Sequence, residues 1–328
     1  MTPAPSNVAP QVSVIIPAYN TAHLMATCLD SVFAQTYRDF EVIVVNDGSP
    51  DTTELECVLQ PYLSRIVYVR QENKRAAGAR NTAIGRARGE FLAFLDSDDS
   101  WLPSHLGDQM KQFEVNPGLD LVYANAFCDA QHEKTFMDMC PSDGPATFEA
   151  LVVEHCQIPI STVVARKAAL VKAGLFDEKL ARCDDYDLWL RAAFFGATIS
   201  YRRTVQARLY LSRPDSLSLS RANMTEAYWK ILEKTAQTLP LSAEQRNLVE
   251  QRAEEIRGQF LLEQGKVQLR EQHPEKAREL FAEANSHLHR LKLSLAIRSL
   301  QLAPRSASRF IAVWSRFRNG GRREHSVL

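Results

Sequence analysis

Apolar and polar positions along the first hundred residues alternate between a strand-like and a helix-like period. Residues 12–16 are a short β-branched run, Val-Ser-Val-Ile-Ile, closed by Pro17, which predicts a buried strand. Leu24, Cys28, Leu29, Val32 and Phe33 then recur at helical spacing behind Thr21, a residue suited to cap that helix. A second strand is predicted over 41–45 and is halted by Asn46-Asp47-Gly48-Ser49-Pro50, a strong turn signal. A helix over about 51–60, a strand over 66–70 and an Ala-rich helix over 76–87 follow. The next strand, 91–95, ends in Asp96-Ser97-Asp98-Asp99. Strands alternating with helices predict an α/β fold with a mostly parallel, doubly wound, Rossmann-like sheet. Ligands of such sheets sit at the carboxyl ends of the strands, where both acidic turns fall.

The middle of the chain is mixed, with strands expected over 119–127, 158–165 and 205–212 and a helix over 185–195. Beyond about residue 221 strand signals vanish, and the helical pattern breaks near Pro240, His273-Pro274 and Ala303-Pro304. These patterns divide the chain into an α/β domain over 1–220 and a helical region over 221–328. Within the latter, Gly265, Ala277, Phe281 and Ala284 have the spacing of one tetratricopeptide-like helix pair, with small residues where helices touch. One copy builds no solenoid, so a packed helical hairpin is expected.

Charge changes this picture at one end. Lys+Arg and Asp+Glu are equal at 39 each, which gives no bulk support for nucleic-acid binding. From Arg290 onward, however, there are nine basic residues and one acid, Glu324, leaving a net of −8 on the preceding chain. Phe310, Val313, Trp314 and Phe317 fall on one helical face, with Arg305, Arg309 and Arg316 largely opposite. Such a basic amphipathic helix suits an anionic membrane surface; packing on the acidic body is the alternative, and the sequence leaves both open. The six cysteines include no CxxC pair and read as reduced, mostly buried thiols. With no signal-peptide pattern and no apolar run near the roughly 20 residues of a membrane span, the expected location is cytoplasmic, or peripheral at the inner membrane face.

Asp96-Ser97-Asp98-Asp99 carries the sharpest chemistry. Asp96 and Asp98 are expected to share one face at the mouth of a strand, offering hard oxygens to Mg²⁺ or Mn²⁺. A solvated acidic turn capping the next helix fits the motif equally well when it is taken alone. The surrounding motifs decide between them. Val12-Ser-Val-Ile-Ile-Pro-Ala-Tyr-Asn20, Val44-Val-Asn-Asp-Gly-Ser49, Ala79-Arg-Asn81, Phe94-Leu-Asp-Ser-Asp-Asp99 and Cys183-Asp-Asp-Tyr-Asp-Leu-Trp-Leu-Arg191 occur in order. Over residues 12–220 the chain resembles glycosyltransferase family 2, inverting enzymes of the GT-A fold, which implies that 1–220 is the catalytic domain.

That resemblance implies a nucleoside diphosphate sugar donor, a UDP-sugar being favoured, and a saccharide or lipid-linked acceptor. It implies that Asp47 contacts the nucleotide base, that Pro17 and Tyr19 line the nucleotide pocket, and that Arg80 lies near the diphosphate. Asp98 corresponds to the direct metal ligand, with Asp96 nearer the ribose. Asp185 corresponds to the catalytic base. Asp184, Arg213 and Trp101 are candidate phosphate or acceptor contacts; Trp189 and Tyr123 are weighed as sugar platforms or core. The chain departs from the family pattern at Asp184, where Glu is usual, at Arg75, where many relatives carry Gly, and at Arg213, where His is common. Arginine there binds phosphate but cannot ligate a metal.

Two rival enzymes fit poorly. A nucleotidyltransferase needs a Gly-rich basic loop after the first strand, and a dinucleotide-dependent oxidoreductase needs GxGxxG there; Pro17-Ala-Tyr-Asn20 supplies neither. A catalytically inactive nucleotide-sugar-binding scaffold acting through the helical region is the remaining alternative. The intact Asp47, Asp98 and Asp185 set argues against it.

Overall fold

The computed structural model describes residues 9–130, 133–137, 146–153, 157–210 and 221–302. The chain forms two compact units, Met1–Ser216 and Leu217–Leu328. The first opens with β1 (Val12–Ala18), α1 (Ala22–Phe33), β2 (Phe40–Asp47), α2 (Thr52–Leu59), β3 (Val67–Gln71), α3 (Arg75–Arg86) and β4 (Phe91–Phe94). It continues through β5 (Ser100–Trp101), α4 (His105–Val115), β6 (Leu121–Ala130), β7 (Glu133–Met137), α5 (Phe148–Val152), β8 (Val164–Arg166), α6 (Lys167–Lys172), α7 (Asp184–Phe194) and β9 (Ile199–Leu209).

These strands form one sheet in the order β3-β2-β1-β4-β8-β6-β9-β5, with β7 paired to β6. The half from β3 to β4 is wholly parallel. Val12, Val14, Ile15 and Ile16 are fully buried in β1, as expected of a strand flanked by parallel neighbours and covered on both faces. Beyond β4 the sheet turns mixed: β8 is antiparallel to both β4 and β6, and β9 runs parallel to β6. The order 3-2-1-4 reverses at β1, which opens a crevice beyond the carboxyl ends of β1 and β4. Tyr19-Asn20 and the Asp96–Asp99 turn occupy those two ends.

Three local expectations are corrected. The strand expected over 158–165 is a 3₁₀ turn, Ile160–Thr162, followed by the short β8. Here the Thr162 amide donates to the Pro159 carbonyl at 2.9 Å, and the turn turns Ser161 and Thr162 into the core. Thr21 stands at the N-cap of α1, but its hydroxyl pairs with Ser97 Oγ at 2.8 Å; Asp51 Oδ2 accepts the Ala22 amide instead, also at 2.8 Å. The last strand starts earlier than expected, at Ile199, and its register with β6 is broken around Asn125.

The second unit holds α8 (Arg221–Thr238), α9 (Ala243–Arg270), α10 (Pro274–Leu288) and α11 (Leu291–Leu302). Ser242 and Gln245 form a capping box at the start of α9, and Pro274 opens α10, where its missing N–H costs nothing. Ala277, Phe281 and Ala284 are buried along α10. A Cβ on Gly265 would stand 2.4 Å from the Phe281 ring, so α9 and α10 approach through that glycine.

Gly265→Ala is accordingly expected to destabilise the second unit. Overpacking costs about 1–3 kcal/mol, against the roughly 1 kcal/mol by which Ala exceeds Gly in a helix. Gly85→Ala in α3, where nothing lies within 4 Å, is expected to stabilise by about 0.5–1 kcal/mol. Thermal unfolding of the two variants checks the opposite signs; a stabilised Gly265→Ala would mean that the helices do not depend on that close approach.

Candidate active site

At the end of β2, Asp47 is 2% exposed, and its Oδ1 accepts from Gln71 Nε2 at 2.7 Å and from the Lys74 amide at 2.8 Å. Gly48 follows at φ +63, and a Cβ there would meet the Asn73 amide nitrogen at 2.8 Å, so the backbone passes where only glycine fits. Ser49 Oγ accepts the Asn20 amide at 2.7 Å, tying the loop after β2 to the loop after β1. Beside it, Pro17 is partly buried, whereas Tyr19 projects with 51% of its surface exposed. This places Asp47, Pro17 and Tyr19 along the β1–β2 side of the crevice.

The acidic turn follows β4. Asp96 and Asp98 do not meet by strand alternation, because the strand ends at Phe94; a turn closed by the Asp99 amide on the Asp96 carbonyl (2.9 Å) gathers three carboxylates instead. Asp96, Asp98 and Asp99 each bring an oxygen within 4.8 Å of the others. Asp99 is the buried one, accepting from Ser161 Oγ at 2.5 Å and from the Tyr210 amide at 3.0 Å. Burial, and then the charges of Asp98 and Asp96, push its pKa well up. Three hard, mutually repelling carboxylates, two of them partly exposed, fit a divalent cation such as Mg²⁺ or Mn²⁺.

Across the crevice, α7 begins after Cys183, whose φ of +54 is left-handed and turns the chain sharply into the helix. Asp184, Asp185 and Asp187 fill its first turn, where the helix dipole favours negative charge. Asp184 is buried and Asp185 partly exposed. Asp185 Oδ1 accepts the Tyr186 amide at 2.9 Å. Burial, followed by the neighbouring Asp184, pushes the Asp185 pKa up to about 6 despite the opposing pull of Arg80. Arg191 anchors the helix, donating to Asp187 and to the carbonyls of Ala173 and Leu175. Arg80, from α3, reaches both sides: Nη1 donates to Asp184 Oδ2 and Nη2 to Asp96 Oδ1, each at 2.7 Å.

One expectation needs revision. Trp101 is a core residue rather than an acceptor contact: it is 3% exposed, its indole N–H goes to the Ser161 carbonyl at 2.6 Å, and its ring packs on His105 with centroids 4.4 Å apart. Burial drives the His105 pKa down to about 3, so that imidazole stays neutral. Trp189 lies edge-on to Phe94 and Phe176, and Trp189 and Tyr123 are both fully buried core. Arg75 is exposed with φ +62, the conformation that glycine adopts without cost. Arg213 and the basic segment 305–323 lie outside the described residues. Of the four described cysteines, all free, Cys28, Cys128 and Cys183 are buried and Cys57 is exposed. Ser161 was not anticipated. Besides bonding Asp99, its hydroxyl accepts the Asp96 amide at 3.1 Å, and no sequence signal marks it.

A parallel α/β half with an acidic turn at its strand switch point, faced by a carboxylate-bearing helix, is the architecture of the GT-A fold. The Glycosyl transferase family 2 model matches residues 13–138. The uncharacterized glycosyltransferase RP339 of Rickettsia prowazekii (strain Madrid E) is 31% identical over 238 residues, 67% of this chain and 71% of that protein. WfgD of Escherichia coli, a UDP-Glc:alpha-D-GlcNAc-diphosphoundecaprenol beta-1,3-glucosyltransferase, is 35% identical over 180 residues, 55% of this chain and 68% of its own. Among solved structures, S. aureus TarS 1-349 aligns with a TM-score of 0.63 at 18% identity, covering 96% of this chain and 93% of that one. The Pyrobaculum calidifontis mannosyltransferase PcManGT, solved with GDP-Man and Mn²⁺, gives 0.59 at 17% identity, covering 94% and 84%. The chain belongs to glycosyltransferase family 2.

Proposed function

We propose that the protein transfers one sugar from a nucleoside diphosphate sugar to an acceptor hydroxyl with inversion, in surface polysaccharide or glycolipid biosynthesis. The observation that carries this reading is the pairing, across one crevice, of the Asp96–Asp99 carboxylate cluster with a partly exposed Asp185 on a rigid helix start. The acceptor oxygen attacks the anomeric carbon as the bond to the donor phosphate breaks, and the nucleoside diphosphate leaves with the electron pair. Asp185 takes the acceptor proton; with a pKa near 6 it is ionised at neutral pH and more basic than an ordinary aspartate. A single displacement inverts the anomeric configuration.

Asp98, with Asp96 beside it, would hold Mg²⁺ or Mn²⁺, whose chemistry is neutralisation of the leaving diphosphate. Asp47, fixed by Gln71 and Lys74, accepts an N–H from the base, and Pro17 and Tyr19 flank it. A UDP-sugar donor and a lipid-linked saccharide acceptor are favoured because the 35% identical WfgD carries both in its name. A thermal-shift screen of nucleoside diphosphate sugars with and without Mn²⁺ tests the reading. A true donor at about 100 times its Kd adds roughly 2.7 kcal/mol. No shift with any nucleoside diphosphate sugar in Mn²⁺ would count against it.

A lipid-linked acceptor fits a peripheral location at the inner membrane face. No helix among the described residues is long and apolar enough to cross a membrane. Leu291, Leu295 and Leu302 are exposed along one stripe of α11, whose charged residues, Lys292 and Arg298, are both basic. The basic segment beyond Pro304 extends that character, and each basic residue near an anionic leaflet contributes about 1 kcal/mol. The intact chain is expected to co-sediment with anionic vesicles at low salt, and a version ending at Ala303 to do so more weakly. Equal sedimentation of the two would remove the tail from membrane binding.

A further inference from the structure

Arg80 and Asn81 leave α3 side by side, and both reach the chain around α7. Arg80, 5% exposed, spends one terminal nitrogen on Asp96 and the other on Asp184, both at 2.7 Å. Phe176 covers its guanidinium from 5.4 Å. Asn81 Nδ2 donates to the Phe176 carbonyl at 2.9 Å and to Glu178 Oε1 at 3.0 Å, and its Oδ1 accepts the Phe176 amide at 3.1 Å. One short stretch of α3 therefore holds the acidic turn, the first residue of α7 and the chain that leads into α7.

This geometry is ill suited to a diphosphate contact. Two of the five N–H donors of Arg80 are taken by carboxylates and its Nε has no partner among the described residues, while only 5% of the residue is exposed; exchanging Asp184 for a phosphate would leave a buried, uncompensated charge. A planar guanidinium with both terminal nitrogens engaged is, by contrast, well suited to fixing the separation of two carboxylates.

We propose that Arg80 is a positioning residue: acting through Asp96 and Asp184, it sets the spacing between the acidic turn and the helix start that carries Asp185, rather than binding the donor diphosphate. Asn81 supports it by holding the chain entering α7. Lysine, a point charge on a flexible stem, cannot span both carboxylates. Losing the bridge misplaces the base relative to the donor, and a misplacement of about 1 Å can cost roughly 10²-fold in rate.

The inference rests on the proposed transferase reading, and the test separates the two. Arg80→Lys, Asp184→Asn and the double variant are compared with the wild type for Mn²⁺-dependent donor affinity, kcat at saturating donor, and melting temperature. Donor Kd is expected to stay within about threefold in both single variants while kcat falls about 10²-fold. In the Asp184→Asn background, Arg80→Lys should cost less than about threefold more, because one interaction has already been broken. A tenfold or larger loss of donor affinity with near-normal kcat in Arg80→Lys would overturn the proposal, as would additive losses of kcat. Should Arg80→Lys fail to fold, Asp184→Asn decides alone: reduced kcat with retained affinity supports the bridge, and wild-type kcat refutes it. A wild type that binds no donor counts against the transferase reading instead.

Discussion

Asp185→Asn is expected to lower turnover by about 10²–10⁴ while leaving donor affinity within a few-fold of wild type. The asparagine fills the same space and can still accept the Tyr186 amide, but it takes no proton from the acceptor. Because the Asp185 pKa is pushed up to about 6, wild-type activity should rise with pH through that value and level off above it. The variant's residual activity should lack that step. Stability moves the other way. The folded pKa lies above the unfolded value of 3.8, so the native state binds the proton more tightly, and stability is lost as pH rises from about 4 through about 6. Asp185→Asn removes the ionised form, so at pH 8 the variant should melt no lower than wild type. An inactive protein that is at least as stable cannot be explained by misfolding. Wild-type turnover at saturating substrates would move the base to Asp184.

The second large effect is expected at the acidic turn. Asp98→Asn should abolish the Mn²⁺ dependence of donor binding, because an amide oxygen coordinates weakly and brings no charge to offset the diphosphate. Calorimetric titration of donor with and without Mn²⁺ reads this directly. Unchanged Mn²⁺-dependent affinity would transfer the ligand role to Asp96 or Asp99. Both have partners already, Asp99 in Ser161 and the Tyr210 amide and Asp96 in Arg80.

The parallel half of the fold is legible from sequence because its strands are buried on both faces, so β4 appears as an unbroken apolar run and β1 as one interrupted only by the buried Ser13. The acidic turns are legible for the same reason, since each interrupts such a run abruptly. The 3₁₀ turn at Ile160–Thr162 is hidden: Ile158, Ile160, Val163 and Val164 resemble strand residues, and only the burial of Ser161 against Asp96 and Asp99 reveals its role. The Asp51 cap on α1 spans 29 residues and the Arg80–Asp184 pair spans 104, and no local period reports such partners. Trp101 misleads because its position after the acidic turn resembles a binding platform, whereas the two-residue β5 pairs with β9 and carries the ring into the core. Residue types and order thus mark the acidic turns, and long-range packing determines that Asp96 meets Arg80 while Asp99 meets a hydroxyl and an amide.

The central claim is that this crevice breaks the bond between a sugar and a nucleoside diphosphate. The most direct measurement is release of nucleoside diphosphate from a panel of donor sugars, in the presence of Mn²⁺ and lipid-linked saccharide acceptors, by the wild type and by the Asp98→Asn/Asp185→Asn double variant. The account predicts release by the wild type from at least one UDP-sugar, suppressed by EDTA and at least 10²-fold slower in the double variant. Donor binding without release, or equal release by both proteins, would contradict it.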